Sequence, residues 1–251
     1  MRRFSLQSEI VQGRAVITGS DAHHIRNVLR LRRGGRIDVF DRSGAEYPAT
    51  ILSMTGDRID ILLDEKTCGE EIRLRISVGQ SLLKGQKMDF LVQKLTELGV
   101  SAFRPFISER SISRGDMVKM HQKKARWEKI SVEAAKQCGR NTLPAIHDVC
   151  DFSSLLTACG RHDLKIIFWE KASDNNLRSI LSASDPKEVC VLIGPEGGFP
   201  AGEVETAVGA GFLPARLGPC VLRAETAALA VVSIIQYELG YLSASSNPCT
   251  R

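Results

Sequence analysis

The sequence feature that most constrains the fold is a pair of strand–loop–helix patterns that follow each other between residues 189 and 230. Each pattern begins with a short apolar run, of the kind that is typical of a strand buried in a parallel sheet. The predicted elements are a strand at 189–193, a loop at 194–200, a helix at 201–210, a strand at 212–217, a loop at 218–223 and a helix from 224 to 241. Successive units of this kind predict an α/β fold with a mainly parallel sheet.

Both loops contain glycine and follow strands that we expect to be neighbours, which predicts a small-molecule pocket at the carboxyl edge of the sheet. Glycine allows the backbone to approach a ligand without a Cβ in the way. The first loop, 194–200, has neither the Gly-Lys-Ser/Thr of a P-loop nor the spaced glycines of a dinucleotide-binding turn. Its Glu196 would repel a polyanion, which favours a cationic or polar ligand. The alternative is that both loops are ordinary turns with glycine at tight corners.

Three motifs in this region resemble those of a known family. They are Gly-Pro-Glu-Gly-Gly-Phe at 194–199, Leu-Gly-Pro at 217–219 and Leu-Arg-Ala-Glu-Thr-Ala at 222–227. Together they resemble the RsmE family of SPOUT-class methyltransferases, which use S-adenosylmethionine to methylate N3 of a uridine in 16S ribosomal RNA of the small ribosomal subunit. Segments 87–100 and 137–140 extend the resemblance over nearly the whole chain.

The resemblance implies a C-terminal SPOUT-type α/β domain with a deep trefoil knot and a small N-terminal PUA-like β-barrel. It also implies a homodimer in which the partner chain completes each active site. The cofactor S-adenosyl-L-methionine would be held by the two glycine loops and by a third loop after the strand that ends near residue 169. The implied cofactor-binding residues are Trp169, Gly194, Pro195, Glu196, Gly197, Gly198, Leu217, Gly218 and Leu222. Pro200 departs from the usual pattern, since we expect Ser or Thr at this helix N-terminus, but proline suits a first turn.

The implied chemistry also predicts roles for two charged residues. An imide nitrogen is a poor nucleophile until it loses its proton, so a cation would stabilise the uracil anion and a base could accept the proton. We predict Arg223 for the first role and Glu225 for the second. The alternative is that the pair caps the last helix and forms a structural salt bridge, a role that the helix dipole favours for Glu225.

Positive charge is concentrated in the middle of the chain. The whole chain has a formal net charge of +5, yet residues 71–145 carry +8, whereas residues 1–70 carry +1 and residues 146–251 carry −4. Such a concentration is the usual footprint of a nucleic-acid partner, although solvated helix faces can have the same composition. The predicted RNA contacts are Arg26, Arg30, Arg110, Arg114 and Arg140.

The first 70 residues predict a small separate domain. Short alternating segments at 14–18, 36–40, 46–51 and 58–62 suit strands with one wet face, and a capped helix is predicted at 20–30. Several strands around one helix indicate a small β-barrel, in agreement with the PUA-like RNA-binding domain that the resemblance implies. A polar segment places the boundary at residue 70, so that residues 71–251 form the methyltransferase domain.

The remaining pattern of the larger domain alternates strands with helices. Strands are predicted at 72–83, 102–107 and 164–169, and helices at 84–98 and 118–140. Apolar residues surround Trp127 on the second of these helices, which predicts a core position for it in preference to a platform for base stacking.

Several classes of protein are disfavoured by the composition. No apolar run approaches the roughly 20 residues that span a bilayer, and the N-terminus lacks the apolar segment of a signal peptide. Seven scattered cysteines without a C-x-x-C pair predict neither a zinc site nor a disulfide framework. His23 and His24 point in different directions on a helix, which argues against a metal site. We therefore expect a cytoplasmic protein with no metal and no membrane partner.

A second class of function is a non-catalytic RNA-binding or ribosome-assembly factor that kept the fold and lost the cofactor. Both functions predict a basic face and RNA binding. Only the enzyme needs glycine loops that are free of bulky side chains, and these loops are intact in the sequence. The sequence therefore favours the enzyme.

Overall fold

In the computed structural model the described residues are 3–6, 8–41, 44–67, 74–111, 117–172 and 177–242. The chain forms two compact units. The first comprises Met1–Glu71 and Val132–Leu143, and the second comprises Ile72–Ser131 and Pro144–Arg251. The predicted boundary at residue 70 lies outside the described residues. The return of the chain to the first unit after residue 131 was not part of the sequence prediction.

The first unit is built on a five-stranded sheet. Its elements are β1 (Arg3–Ser5), β2 (Arg14–Thr18), α1 (Gly19–His23) with a π-helical continuation at His24–Val28, β3 (Arg36–Phe40), β4 (Glu46–Thr55) and β5 (Arg58–Leu63). The strand order is β1-β3-β4-β5-β2, in which only the β1–β3 pair is parallel. The four strands predicted from alternation are present, whereas three-residue β1 was missed because it is too short to show a period.

Alternation explains the core of the first unit. Ile37 and Val39 of β3 and Ile59 and Ile61 of β5 are at most 2% exposed, because every second side chain of a strand faces the same side. Ile25, on the helical segment between β2 and β3, is fully buried against them. This segment ends two residues earlier than predicted.

The second unit alternates strands and helices. Its elements are β6 (Arg75–Ser81), α2 (Lys87–Glu97), β7 (Ala102–Ile107), α3 (Met117–Cys138, which ends in the first unit), β8 (Ala145–Ile146), β9 (Cys150–Asp151), α4 (Phe152–Ala158), β10 (Leu164–Phe168), α5 (Leu177–Ser182), β11 (Glu188–Ile193), α6 (Ala201–Gly209), β12 (Leu213–Ala215) and α7 (Ala224–Glu238). The fold class is α/β, as predicted.

The sheet of the second unit is parallel throughout and has the strand order β12-β10-β11-β6-β7-β8, with β9 also paired to β7. One expectation was wrong: β11 and β12 are not neighbours, because β10 lies between them. The carboxyl ends of all three strands nevertheless lie at one edge of the sheet, since parallel strands end on the same side.

Apolar clusters cover both faces of this sheet. In β11, Val189, Val191 and Ile193 belong to one cluster, whereas Cys190 and Leu192 belong to the other. The first cluster also includes residues of α2 and α7, and the second includes residues of α4 and α6. Burial on both faces explains why this strand reads as a continuous apolar run in the sequence.

The helices pack as components of a globular core. Trp127 of α3 is 2% exposed, lies edge-on to Phe103, and donates its indole N–H to Asp89 Oδ1 at 3.1 Å. The prediction that it is a core residue is confirmed.

No helix in the described parts of the chain has the length and apolar character needed to cross a membrane.

The fold brings together one group of potential metal ligands that the sequence spacing did not reveal. The donor atoms of Cys159, His162 and Cys190 lie within 4.8 Å of one another. Both imidazole nitrogens already have partners, Ser77 Oγ at 2.9 Å and the Cys159 carbonyl at 3.0 Å. The Cys190 thiol is hydrogen-bonded to Cys159 and fully buried, and both effects raise its pKa. These hydrogen bonds explain why the three side chains lie close together in the core.

Candidate active site

Three loops meet around a cavity of about 610 Å³ at the carboxyl edge of the sheet. They follow β10, β11 and β12. The cavity is lined by Lys87, Phe168, Trp169, Glu170, Ile193, Gly194, Pro195, Glu196, Gly197, Gly198, Arg216, Leu217, Gly218, Pro219, Cys220, Val221, Leu222, Arg223, Ala224 and Ala227. All nine residues predicted to bind the cofactor are among them, and so is Arg223.

The first glycine loop, 194–200, is anchored to the core at both ends. Buried Gln80, at the end of β6, donates a hydrogen bond to the Gly194 carbonyl at 3.2 Å. A Cβ on Gly194 would lie 3.1 Å from the ring of Phe199, which is itself 2% exposed. Because Phe199 packs in the core, it has little room to move, and only glycine fits here without displacing it.

The same loop needs a glycine for its backbone conformation at Gly198, where φ is +66°. A Cβ at this position would also lie 3.0 Å from Glu170 Oε2, in the loop after β10. The Gly198 amide donates to the Pro195 carbonyl at 3.0 Å, which closes the turn. The turn therefore brings the backbone of the first loop against the loop that follows β10.

Glu196 is held by Lys87, the first residue of α2, and by the segment just before it. Its Oε1 accepts hydrogen bonds from Lys87 Nζ at 3.0 Å and from the Lys84 amide at 3.2 Å. Partial burial would raise the pKa of this carboxyl, but the hydrogen bonds from Lys87 and the backbone outweigh burial and keep the pKa below its usual value. The hydrogen bond with Glu196 likewise raises the pKa of Lys87. The Lys87 ammonium therefore balances the negative charge of Glu196 in this loop.

Trp169 presents an unused donor in this region. Its backbone amide donates to the Ala215 carbonyl at 3.0 Å, which joins the ends of β10 and β12. Its indole Nε1 is buried and has no hydrogen-bond partner among the described residues. A buried donor without a partner is costly, and a polar ligand in the cavity would satisfy it. This residue fits a ligand that carries hydrogen-bond acceptors, such as a nucleoside.

The second glycine loop, 218–223, ends at Arg223, which is the N-cap residue of α7. The Arg223 side chain makes no capping hydrogen bond, and it is exposed. Among the residues that the structure describes, no carboxylate lies within ion-pair distance of its guanidinium. Arg223 therefore does not form the structural salt bridge that was its alternative role.

Glu225 lies in a different position from the one that its sequence neighbours suggested. It lines an adjacent groove of about 710 Å³ between α2 and α7, and it is absent from the lining of the main cavity. Its Oε2 lies 3.5 Å from Lys87 Nζ. Lys87 lines both spaces, and its ammonium group lies within ion-pair distance of both Glu196 and Glu225. The ion pair with Lys87 is a structural role for Glu225, the kind of role that the sequence offered as the alternative to catalysis.

The sequence analysis did not assign Lys87 or Gln80 to the site, whereas Glu170 lies in the third loop that the resemblance assigned to the cofactor. Lys87 lies within the predicted helix 84–98, and its partner Glu196 lies 109 residues further along the chain. Gln80 appeared as one residue of a strand. The position of Lys87 in a segment that resembles the family was the one signal that could have identified it.

Comparison with known proteins identifies the family. A family model for an RNA methyltransferase domain matches residues 70–236, and one for an RNA methyltransferase PUA domain matches residues 17–64. The ribosomal RNA small subunit methyltransferase E of Bacillus subtilis (strain 168) is 37% identical over 228 residues, which cover 88% of this chain and 89% of the relative. The chain belongs to the ribosomal RNA small subunit methyltransferase E family. The resemblance seen in the motifs is therefore confirmed.

Solved structures of similar proteins include two with the cofactor. A ribosomal RNA small subunit methyltransferase E from Neisseria gonorrhoeae, bound to S-adenosyl methionine, is 32% identical with a TM-score of 0.82, covering 94% of this chain and 97% of that one. A putative methyltransferase from Legionella pneumophila, in complex with bound SAM, is 30% identical with a TM-score of 0.84 and the same coverage. The present member of the methyltransferase E family shares their fold over nearly its full length.

The arginines predicted to contact RNA occupy different environments in this methyltransferase E family member. Arg110 is exposed and donates to the Gly197 carbonyl at 3.0 Å. Arg26 donates to the Gly56 carbonyl, and Arg140 Nε donates to Thr142 Oγ1 at 3.1 Å. Arg30 is exposed and has a positive φ of 52°. Arg114 lies outside the described residues. Of the four described arginines, Arg110 is the one that contacts the first glycine loop.

Proposed function

We propose that this protein uses S-adenosyl-L-methionine to methylate N3 of a specific uridine in 16S ribosomal RNA of the small ribosomal subunit. One observation carries the proposal: two glycine loops and Trp169, whose buried indole nitrogen has no partner among the described residues, line one cavity at the carboxyl edge of a parallel sheet. Family membership adds the class of reaction. Since ribosomes are assembled in the bacterial cytoplasm, the proposal also locates the protein there.

The cofactor would be held mainly by backbone groups of the loops 194–200 and 217–222. Trp169 Nε1 would donate to one of its polar atoms, which removes the cost of leaving this buried donor unpaired. When bound, S-adenosylmethionine supplies an electrophilic methyl group. The task of the surrounding chain is to fix its position and to exclude water from the reacting atoms.

Arg223 is the proposed electrostatic catalyst. A uracil that loses its N3 proton carries negative charge on its carbonyl oxygens, and a cation placed against them lowers the barrier. Lys87 also lines the cavity, but its charge lies between the carboxylates of Glu196 and Glu225. Arg216 and Arg223 also line the cavity, and neither has an ion-pair partner among the described residues. Arg223 is proposed for this role because it ends the second glycine loop, within the motif at 222–227. Glu225 remains a candidate proton acceptor, with its ion pair to Lys87 as the competing role.

RNA docking is assigned in this proposal to the N-terminal domain, residues 1–70, and to basic residues of the methyltransferase domain, residues 71–251. The match to an RNA methyltransferase PUA domain supports the first part. Arg26, Arg30, Arg110 and Arg140 are the proposed phosphate contacts within the described residues, and Arg114 is a fifth outside them. Phosphate contacts of this kind make affinity fall steeply with salt.

A homodimer is part of the proposal because α2 and α7 leave apolar side chains uncovered. Phe90 is 43% exposed, Ile234 is 37% exposed and Tyr237 is 70% exposed. Phe90 lines the groove between the two helices together with Leu229 and Ala230 of α7. A second copy of the chain would cover this surface, as the family resemblance implies, and would place a partner chain beside Lys87 and Glu225.

We propose the trefoil knot from the family resemblance. The parallel α/β sheet of this chain, with β12 beyond β10, supports it. An experimental electron-density map of residues 194–242, traced without reference to a homologue, tests the threading directly.

The decisive experiment incubates the protein with labelled S-adenosylmethionine and unmodified small ribosomal subunits or their isolated RNA. We expect one methyl group on N3 of one uridine, identified by mass spectrometry of RNA fragments. RNA that binds tightly but gains no methyl group, with no cofactor affinity by calorimetry, would instead establish the non-catalytic assembly factor.

Analytical ultracentrifugation tests the dimer: the native protein should sediment as two copies, and Phe90→Glu should shift it toward one.

A further inference from the structure

Glu203, in the first turn of α6, connects two loops that the proposed function assigns to different ligands. Its Oε2 accepts a hydrogen bond from Ser108 Oγ at 2.6 Å, and its Oε1 accepts one from the Glu109 amide at 2.9 Å. Both donors lie in the turn that follows β7, about 95 residues earlier in the chain. Because each carboxylate oxygen has its own donor, rotation of the carboxyl group is restricted.

The turn that donates these bonds, Ser108 to Ser111, is itself held by further hydrogen bonds. Ser108 is 2% exposed, and its amide donates to Ser111 Oγ at 2.8 Å. Ser111 Oγ also lies 2.7 Å from Ser81 Oγ, at the end of β6. The turn is therefore held by the sheet on one side and by Glu203 on the other.

Arg110 extends from this turn to the first glycine loop. Its guanidinium donates to the Gly197 carbonyl at 3.0 Å, and its Cβ and Cδ lie 3.7 Å from where a Gly197 Cβ would be. Helix α6 begins at Ala201, directly after this loop. The loop is thus connected to Glu203 through the start of α6 and to Arg110 through the Gly197 carbonyl.

We propose that Glu203 is a positioning residue that couples cofactor binding to RNA binding. It holds the turn that carries Arg110 against the cofactor loop, so that a loop ordered by the cofactor also fixes Arg110 in the position that contacts RNA. This inference rests on the proposed function. Coupling of this kind is reciprocal: each ligand raises the affinity for the other by the same factor.

The test measures RNA affinity with and without S-adenosylhomocysteine, the demethylated product, which cannot react. For the native protein we expect RNA to bind about tenfold more tightly with the product present, within the usual range of coupling between two sites. Glu203→Ala should reduce this ratio to less than about twofold. Glu203→Gln should preserve most of it, because its amide oxygen can accept from the Glu109 amide while its NH₂ group donates to Ser108.

Glu205→Ala is the matched control, since Glu205 lies on the same helix and is exposed. It should leave the ratio at its native value. Arg110→Ala should abolish the ratio, and the double variant with Glu203→Ala should lose nothing more, because both changes act on one connection. In Glu203→Ala, the single-turnover rate at saturating RNA should change much less than the RNA concentration that gives half the maximal rate.

Four outcomes overturn the inference. They are a native ratio of one, an unchanged ratio in Glu203→Ala, loss of coupling in Glu205→Ala, and a Glu203→Gln protein that behaves like the alanine variant. If Glu203→Ala does not fold, the comparison of Glu203→Gln with Arg110→Ala decides. Failure of the proposed function gives a different result: a native protein that neither binds the product nor methylates RNA.

Discussion

The two glycine loops of the cavity differ in how firmly the rest of the protein holds them. The loop 194–200 receives hydrogen bonds from Gln80, Lys87 and Arg110, which lie on three different parts of the second unit. In the loop 218–223, Val221 is 81% exposed and Leu222 is 38% exposed, although both line the cavity. The first loop is a preformed wall, whereas the second presents apolar side chains that a ligand or substrate would cover.

This difference separates two tasks that one pocket must perform. A preformed wall lowers the entropic cost of binding the cofactor, because three hydrogen bonds already restrict the loop before the cofactor orders it further. An exposed loop that ends in an unpaired cation can adjust to the base that is to be methylated. Changes in the first loop should therefore act on cofactor affinity, and changes in the second should act on turnover.

The largest expected effect comes from Arg223→Ala in the second loop. Turnover should fall by about two to three orders of magnitude, which is the usual loss for one donor that stabilises an oxyanion. Cofactor affinity should stay within a few-fold, because a sulfonium gains nothing from a neighbouring cation. Melting temperature, cofactor affinity and single-turnover rate are measured on one preparation. A near-normal rate would remove Arg223 from the mechanism.

Gly198→Ala should act on the first loop through cofactor affinity. A positive φ costs an alanine about 1–2 kcal/mol, and its Cβ would displace the Glu170 carboxylate. We expect a roughly tenfold loss of affinity by calorimetry, or about 1.4 kcal/mol. Gly202→Ala is the control, since no atom lies within 4 Å of its Cβ position and alanine favours the helix. Equal losses in both variants would contradict the special role of Gly198.

Lys87→Met should have a smaller effect, on the stability of the folded protein, and the size of this effect should depend on pH. The pKa of Glu196 is lowered in the folded protein, so its contribution to stability is present above the unfolded pKa and is lost as pH falls through the folded value. The pKa of Lys87 is raised, so its contribution is lost as pH rises through its folded value.

Because about one third of each side chain is exposed, solvent screening limits the pair to less than about 1 kcal/mol. The melting temperatures of the native and Lys87→Met proteins should differ at pH 7 and converge on acidification. A difference that grows as pH falls would show that Lys87 is not stabilised by Glu196.

The smallest effect is expected for Val221→Ser. Because this side chain is largely exposed, the free energy of unfolding should change by less than about 0.5 kcal/mol without ligands. A loss of substrate affinity in a protein of native stability would fit the comparison of the two loops. A large loss of stability in the ligand-free protein would show that the second loop is packed like the first.

Local patterns predicted the elements of this site better than their arrangement. β11 was predictable because burial on both faces leaves a continuous apolar run, and Pro200 was correctly expected at a helix N-terminus. The position of β10 between β11 and β12 was not predictable, because periodicity records which face a side chain occupies and carries no information on which strand is adjacent.

The sequence patterns also could not predict ion pairs between side chains that lie far apart along the chain. Lys87 and Glu196 are paired only because the fold brings the start of α2 to the first glycine loop. Glu225 follows Arg223 by two residues, yet the turn of the helix directs it to a different space. The loops that the family resemblance assigned to the cofactor line one cavity. The motifs could indicate this because they record what a pocket requires of each loop, including glycine where a side chain would not fit.

The spatial order of the three strands has a consequence for the synthesis of the protein. Among the described residues, β12 is the last strand to leave the ribosome, and it lies at the edge of the sheet, beyond β10. A nascent chain that ends before residue 213 therefore contains the first glycine loop but lacks one wall of the cavity. If the cofactor binds in this cavity, as proposed, we expect its affinity to appear only once almost the entire chain has been made. Binding of the cofactor thus stabilises finished molecules and leaves truncated ones without this protection.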